Sequence, residues 1–168
     1  MKRAFLVFGP ESSGTRLMTR IFVGVDCAGS YGREQPWDDE TPDEDLIVWR
    51  RSFPHRGEWP DVSEMIDLLT EEGYEASPIV MSRDWHCTAR SQVNNHRPKS
   101  MEEAIENIRQ AYLYIFDAID GLPYEIVNYE ALVLRPTPTV NALFGRLGLP
   151  TLGGVDVRDE NAKYYEVQ

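Results

Sequence analysis

The stretch that decides the fold is Phe5-Leu-Val-Phe-Gly-Pro-Glu-Ser-Ser-Gly-Thr-Arg-Leu-Met18. The apolar run at residues 4–8 is typical of a buried strand, and it ends at Gly9. After Gly14, apolar residues recur at the spacing of a helix. A strand, a glycine-bounded loop and a helix N-terminus in this order predict an anion-binding site, because backbone N–H groups and the positive end of the helix dipole face the loop. The alternative is a turn that binds nothing.

The loop at residues 9–16, called the cradle below, has the glycine spacing of the first part of a P-loop. Thr15 and Arg16 follow Gly14, so the lysine that reaches the outer phosphates of ATP or GTP is missing. The cradle therefore predicts phosphate binding and argues against an ordinary nucleoside triphosphatase. A side chain at Gly14 is expected to enter the space that the phosphate needs, so that Gly14→Val abolishes binding with little loss of fold.

A second phosphate-binding candidate follows another strand. Residues 77–82 are typical of a buried strand, Arg83 comes directly after them, and Ser91 lies about two helical turns further on. Ligands of open α/β sheets bind at the carboxyl ends of strands. Arg83 and Ser91 are thus a candidate pair for one phosphate, with a charged fork from the first and a neutral donor from the second. The alternative for Arg83 is a structural salt bridge.

Together these segments resemble the sulfotransferases that use 3′-phosphoadenosine 5′-phosphosulfate (PAPS). In that family a strand, loop and helix near the N-terminus hold the 5′-phosphosulfate, and an Arg and a Ser at the spacing of Arg83 and Ser91 hold the 3′-phosphate. Residues 127–133, followed by Leu147-Gly-Leu-Pro150, are similar to the family's Tyr-Glu-Asp-Leu segment and the helix after it. The resemblance extends from about residue 4 to residue 150.

The resemblance implies one domain over residues 1–168, a three-layer α/β/α fold of the P-loop nucleotide-hydrolase-like type with a mainly parallel sheet. It implies transfer of a sulfuryl group from PAPS to a hydroxyl or amine of a small or medium acceptor, a small molecule or a glycan. Adenosine 3′,5′-bisphosphate is the expected product, and no metal ion is expected. The residues implied to bind the cofactor are Gly9, Pro10, Glu11, Ser12, Ser13, Gly14, Thr15, Arg16, Arg83 and Ser91.

The chain departs from the family pattern in three places. Ser12 stands where many relatives carry a lysine, and Arg16 replaces a second threonine, supplying positive charge from the first helical turn. The C-terminal Lys/Arg-Gly-x-x-Gly segment of some relatives is missing, with Arg158 or Lys163 as candidate substitutes. Arg20, one turn beyond Arg16, is predicted to be a surface or ion-pair residue. These departures leave altered or lost activity open.

Sulfuryl transfer needs a base for the acceptor, and two residues are candidates. His55 follows the predicted strand at residues 46–50, two residues later than the catalytic histidine of relatives, and imidazole exchanges protons near neutral pH. Glu34 lies in Gly32-Arg33-Glu34, which is similar to the pattern of branches that use an acidic base. Arg16 is the third catalytic candidate, stabilising charge on the departing phosphate. An exposed loop histidine and a solvated loop acid are the alternatives.

Composition indicates a single soluble domain. The chain has 168 residues and a net charge of −11, which argues against binding to nucleic acids or acidic polysaccharides. Much of the negative charge lies in residues 38–45, predicted as a solvated, mobile loop within residues 28–45, the candidate lid or acceptor loop. No apolar stretch is long enough to span a membrane, no signal peptide is recognisable, and two cysteines without a motif favour a cytoplasmic location. The oligomeric state is left open.

Two other functional classes stay open. One is a nucleotide or nucleoside kinase-like P-loop enzyme. Two features argue against it: a threonine stands at position 15 in place of the P-loop lysine, and no clear metal-binding acid follows a second strand. The other is a non-catalytic module that binds adenosine phosphates, which the serine at position 12 keeps open.

Capping boxes at Asp61/Glu64 and Ser100/Glu103 predict two further helices, and residues 124–128 predict a fourth strand.

Overall fold

A five-stranded sheet forms the centre of the molecule. We describe residues 2–32, 34, 43–96 and 98–165 of a computed structural model of the chain. The strands are β1 (Lys2–Pro10), β2 (Ala28–Gly29), β3 (Leu46–Phe53), β4 (Tyr74–Ser82) and β5 (Glu125–Asn128). Their order is β2-β3-β1-β4-β5, and every neighbouring pair is parallel. The predicted α/β fold with a mainly parallel sheet is confirmed.

Helices precede β2, β4 and β5 along the chain and supply the crossovers that parallel pairing requires. The described helices are α1 (Thr15–Val23), α2 (Val62–Glu71), α3 (Trp85–Asn95), α4 (Met101–Ala118), α5 (Tyr129–Leu134), α6 (Pro136–Leu147) and α7 (Ala162–Tyr165). At the two predicted caps, Asp61 Oδ1 accepts from the Glu64 N–H (3.1 Å) and Ser100 Oγ accepts from the Glu103 N–H (3.2 Å). No helix in the described part of the chain is long and apolar enough to cross a membrane.

The helices cover both faces of the sheet. Phe5 and Val7 of β1 pack in one core with α1, α5 and α6, whereas Leu6 and Phe8 pack in the other with α2 and α4. Because β1 is central and both of its faces are buried, its sequence is continuously apolar instead of alternating. The result is the three-layer α/β/α arrangement that the resemblance implied.

The observed strands differ in extent from the predicted ones. β3 continues to Phe53, β4 already begins at Tyr74, and β5 begins at Glu125. β2 was not predicted, because a two-residue strand is too short to show a periodic pattern. Residues 33 and 35–42, which hold most of the acidic run and much of the predicted lid segment, lie outside the described residues.

The strand register brings three chain segments together at one edge of the sheet. In the parallel ladders Gly9 lies opposite Ser52 of β3, and Phe8 lies opposite Val80 of β4. The carboxyl ends of β1, β3 and β4 therefore lie side by side. The cradle, at the end of β1, lies between the ends of β3 and β4. From β1 the chain continues to β2 and β3 on one side of β1, whereas β4 lies on the other side of β1. At such a reversal of strand order, α/β proteins have a crevice in which they bind ligands.

Candidate functional site

The cradle is a tight turn between β1 and α1. Ser12 (φ 70°) and Gly14 (φ 102°) both have left-handed backbone conformations, and the Ser13 N–H closes the turn on the Pro10 carbonyl (3.0 Å). A non-glycine residue in this region of backbone space costs about 1–3 kcal/mol and persists only where its surroundings hold it. Ser12 is therefore held in place by contacts from outside the loop.

The N-terminus of α1 lacks the capping that its neighbours have. Among the described residues no side chain caps α1, and its first turn contains no acid. The N-termini of α2, α3, α4 and α5 are each capped by a side chain, in turn that of Asp61, Asp84, Ser100 and Asn128. The first N–H groups of α1 thus remain open to an acceptor from outside the helix, and the helix dipole favours an anion there.

Arg83 and Ser91 converge on the top of the cradle. Arg83 Nη1 donates to the Ser12 carbonyl (2.7 Å), and Ser91 Oγ donates to Ser12 Oγ (3.0 Å). Arg83 Nε donates to Asn161 Oδ1 (2.6 Å), while Nη2 is buried without a hydrogen-bond partner among the described residues. The guanidinium also lies over the Tyr129 ring, 4.6 Å from its centroid. Ser12 thus receives its support from Arg83 and Ser91, and Nη2 is the guanidinium nitrogen left for a ligand.

A C-terminal segment encloses this side of the site. The Tyr129 hydroxyl donates to the Arg158 carbonyl (3.1 Å) and accepts from the Glu160 N–H (2.9 Å). Both candidate substitutes for the missing C-terminal motif lie near Glu160, Arg158 at 3.5 Å and Lys163 at 2.8 Å. Of the two, Arg158 is the one that lines the cavity.

The two candidate bases lie side by side. Glu34 is almost fully buried, with 6% of its side chain exposed, and its Oε2 lies 3.2 Å from His55 Nδ1. Its carboxylate also accepts from the Ser52 N–H (3.0 Å to Oε2) and from Arg50 Nη1 (3.2 Å to Oε1). Since both carboxylate oxygens are already engaged, Glu34 is better placed to orient His55 than to take a proton itself.

Arg50 pairs with Glu34 and lies within the electrostatic influence of Arg16 in the cradle. Burial lowers the pKa of Arg50 from its ordinary value; Glu34 opposes that lowering, while Arg16 and Arg51 add to it. Arg50 Nε is buried without a partner in the part of the chain that the structure describes. Positive charge is thus concentrated beside the first turn of α1.

One cavity of about 840 Å³ joins these groups. The predicted site residues that line it are Glu11, Ser12, Gly14, Thr15, Arg16, Glu34, His55 and Arg83. The predicted residues outside its lining are Gly9 and Pro10, which end β1, Ser13, which is buried within the cradle, and Ser91, which contacts Ser12. The sequence-based interpretation had placed candidates on four separate segments, and the fold brings them to one cavity.

Two cradle residues make contacts that the sequence did not indicate. Glu11 accepts from the Arg56 N–H (3.1 Å) and lies 3.5 Å from His96 Nδ1, so its charge is engaged by the protein. The Thr15 hydroxyl, at the position of the P-loop lysine, lies 3.3 Å from Ser52 Oγ. Thr15 therefore fastens the cradle to β3.

Arg20 is exposed, as predicted for a surface residue. It has no ion pair with any described residue, and it also lines the cavity, because the spacing of four residues puts it on the same face of α1 as Arg16. That spacing was the signal that could have identified it. Arg50, Arg56 and Tyr129 also line the cavity, and no local pattern had assigned them a role.

The expectation for Gly14→Val also needs correction. A Cβ at Gly14 would lie 3.0 Å from Tyr129 Cδ2 and 3.5 Å from Met81 Cε, and the φ of 102° is unfavourable for any side chain. We expect Gly14→Val to destabilise the fold by about 1–3 kcal/mol, measured as the free energy of unfolding in urea.

Gly153→Val is the matched control, since a Cβ at Gly153 meets nothing within 4 Å. Equal unfolding midpoints for wild type and Gly14→Val would contradict the structural explanation and restore the original one, in which the valine blocks only the ligand.

Comparison with known proteins gives a similarity in fold. No family model matches the sequence, and no curated protein matches it. Among solved structures, the chain is similar to the sulfotransferase domain from the curacin biosynthetic pathway, with a TM-score of 0.64 and 9% identity. The match covers 91% of this chain and 76% of that one. At this identity the likeness concerns the architecture alone, the three-layer α/β fold with its parallel sheet.

Proposed function

We propose that this chain is a sulfotransferase that moves a sulfuryl group from PAPS to a hydroxyl or amine of a small or medium acceptor. The observation that supports this most is that the cradle, Arg83 and the His55–Glu34 pair line one cavity. The likeness in fold to a sulfotransferase domain agrees with the proposal. A cytoplasmic location, expected from the two unpaired cysteines, belongs to the same proposal.

The residues present fit an adenosine phosphosulfate. The uncapped N-terminus of α1 offers N–H donors to the phosphosulfate, and Arg83 Nη2 is a buried donor without a partner among the described residues. The cavity volume of about 840 Å³ lies within the usual range for small-molecule sites. Arg83 would hold the 3′-phosphate through Nη2, and a two-pronged grip through Nε as well would require Asn161 to release its bond.

When bound, PAPS supplies the sulfuryl group: its sulfur gains a bond to the acceptor as the bond to the 5′-phosphate oxygen breaks, and adenosine 3′,5′-bisphosphate leaves with the electron pair. A carboxylate has no proton to donate, so the contact with Glu34 favours the His55 tautomer that carries its proton on Nδ1. His55 Nε2 then has a free lone pair for the acceptor proton. Arg16 stabilises the charge that builds on the phosphate.

Replacing Glu34 tests the orienting role. Glu34→Gln keeps the shape but removes the charge beside His55 and Arg50, and an amide can accept from or donate to Nδ1, so the preference for the tautomer protonated on Nδ1 is weakened. We expect the turnover number to fall about tenfold to hundredfold with the affinity for adenosine 3′,5′-bisphosphate unchanged. Steady-state kinetics and titration calorimetry measure the two quantities.

Glu106→Gln, at an exposed site on α4, is the matched control and should leave both quantities as they are. A fall in bisphosphate affinity or in the urea midpoint that accounts for the lost turnover would make Glu34 a structural residue, and the orienting role would be abandoned.

Binding and turnover together test the proposed function. Titration calorimetry with adenosine 3′,5′-bisphosphate, ATP and GTP, with and without magnesium, should show metal-independent binding of the bisphosphate as the tightest. Preferred binding of ATP with magnesium would instead indicate the kinase-like alternative. Labelled PAPS with a panel of hydroxyl and amine acceptors then tests transfer.

A non-catalytic module that binds adenosine phosphates is the second candidate, and one observation favours it. The described residues that line the cavity include no lysine. Many sulfotransferases use a lysine to assist departure of the phosphate, and this cavity has no lysine among its described residues to do so. Binding of the bisphosphate without transfer to any acceptor would support this candidate and overturn the first.

A further inference from the structure

The cavity has the opposite charge balance to the chain as a whole. The chain carries a net charge of −11, yet six of its 17 lysines and arginines line this one cavity. They are Arg16, Arg20, Arg50, Arg56, Arg83 and Arg158. The acids of the lining, among the residues that the structure describes, are Glu11, Glu34 and Glu160. A concentration of one sign of charge in a cleft attracts ligands of the other sign, whatever the net charge of the molecule.

Three of the arginines already have partners. Arg50 pairs with Glu34 (3.2 Å), and Arg158 lies 3.5 Å from Glu160. Arg83 donates to Ser12 and Asn161 and lies over an aromatic ring.

The other three arginines do not. Within residues 2–32, 34, 43–96 and 98–165, the side chains of Arg16, Arg20 and Arg56 form no ion pair or hydrogen bond. Glu11 accepts from the backbone N–H of Arg56 and forms no ion pair with its guanidinium. Arg16 and Arg20 repel each other, since they are four residues apart on one helix face. Among the described residues, the lining of the cavity therefore carries more positive than negative charge, and three of its arginines are exposed and free to pair with a ligand.

The position of Arg20 separates it from the cofactor phosphates. Arg20 lies ~6 Å further along α1 than Arg16, away from the N-terminus that would hold the phosphosulfate. α1 packs against β1, β2 and β3, on the side of the sheet where Tyr31, Glu34 and His55 line the cavity. Arg83 belongs to the opposite side, at the end of β4. Arg20 therefore lines the same cavity as the proposed base and lies beyond Arg16 from the helix N-terminus that would hold the phosphosulfate.

We infer, on the basis of the proposed function, that the acceptor is an anion: a hydroxyl- or amine-bearing compound with a carboxylate or phosphate group bound by Arg20. Arg56 adds positive charge at the same cavity. The anionic group is held while the hydroxyl or amine is presented to His55. The net negative charge of the chain had argued against acidic polysaccharides, but this local charge favours an acidic acceptor of a size that the cavity admits.

The test compares acceptors that share a phenol and differ chiefly in the charge of the group opposite it on the ring. Transfer from labelled PAPS is measured for 4-hydroxyphenylacetate, its methyl ester and 4-hydroxyphenyl phosphate. We expect kcat/KM for the two anions to exceed that for the ester by about tenfold to hundredfold, with the difference shrinking as salt is raised. The carboxylate and phosphate arms show which anionic group is preferred.

Substitution of Arg20 should remove this preference. Arg20→Gln is expected to lower kcat/KM for the anions to about the value for the ester, mainly through KM, and to leave the ester and the bisphosphate affinity unchanged. Arg20→Lys should restore part of the preference. Arg109→Gln, an exposed site on α4 outside the cavity, makes the same change in net charge and is the matched control.

The outcomes separate this inference from the proposed function. Equal kcat/KM for anions and ester in the wild type, or equal losses of bisphosphate and acceptor affinity in Arg20→Gln, would overturn the inference and leave sulfuryl transfer standing. If the bisphosphate binds but no acceptor is sulfated, the same acceptors are titrated into the complex of the protein with the bisphosphate. Equal affinity for the acid and its ester would then overturn the inference of an anionic acceptor. Failure of both binding and transfer would overturn the proposed function and this inference with it.

Discussion

Replacing His55 by alanine is expected to lower the turnover number by about 10²–10⁴-fold and to leave the affinity for adenosine 3′,5′-bisphosphate nearly unchanged. The imidazole lies beside a buried carboxylate that fixes its tautomer, and alanine leaves no group at that position to accept the proton of the acceptor. The cradle and Arg83 do not contact His55 through any described hydrogen bond, so cofactor binding persists. Steady-state kinetics at saturating PAPS and titration calorimetry with the bisphosphate provide the two measurements.

His86 supplies the matched control for this variant. It lies on α3 outside the cavity lining and contacts the Trp85 ring, so His86→Ala should keep full turnover. The pH dependence of turnover should also change in His55→Ala, because imidazole is the ordinary side chain that changes charge between about pH 5 and 8. If Glu34→Gln loses the activity and His55→Ala retains it, the glutamate is the base and His55 is an ordinary loop residue.

The parts of the site that local patterns encode could be predicted. The apolar run of β1, the glycines of the cradle and the helical spacing after them are all features of neighbouring residues, and each was recognised. Arg83 could be placed at a strand end for the same reason. A parallel sheet then brings strand ends together whatever the loops do, so the shared edge also followed from the fold class.

The pairing of His55 with Glu34 could not be predicted. Each was recognised as a candidate base, but as rivals, because nothing local shows that the segment after β2 lies against the end of β3. The contact depends on a two-residue strand and on where the Ser52 N–H directs the carboxylate. Contacts of this kind are set by tertiary packing, which periodicity does not record.

The partners of Arg83 were hidden for the same reason. Asn161 lies 78 positions further along the chain, and the segment that carries it has no periodic pattern. The net charge of the chain was also a poor guide to the ligand, because it sums over the whole molecule. The described lining of the cavity contains more arginines than acids although the chain as a whole is acidic. The features that sequence patterns did not predict are thus contacts between residues far apart in the chain and the local concentration of charge in the cavity.

Arg83→Ala is expected to weaken the binding of adenosine 3′,5′-bisphosphate by about 2–4 kcal/mol and that of adenosine 5′-phosphate much less. The guanidinium carries a buried donor, Nη2, without a described partner, and a 3′-phosphate would give it one. Ser91→Ala should follow with a smaller loss of about 1 kcal/mol, since its hydroxyl is a neutral donor. Titration calorimetry with both nucleotides measures the difference.

The comparison of two nucleotides is needed because Arg83 also supports the protein. Its bonds to Ser12 and Asn161 hold the cradle in a strained conformation, so Arg83→Ala is expected to lower the free energy of unfolding as well. A loosened cradle would weaken both nucleotides alike, whereas loss of a contact to the 3′-phosphate weakens one of them. Arg90→Ala, on α3 and outside the lining of this cavity, should change neither affinity. Equal losses for the two nucleotides in Arg83→Ala would return Arg83 to a structural role and leave the 3′-phosphate without its proposed partner.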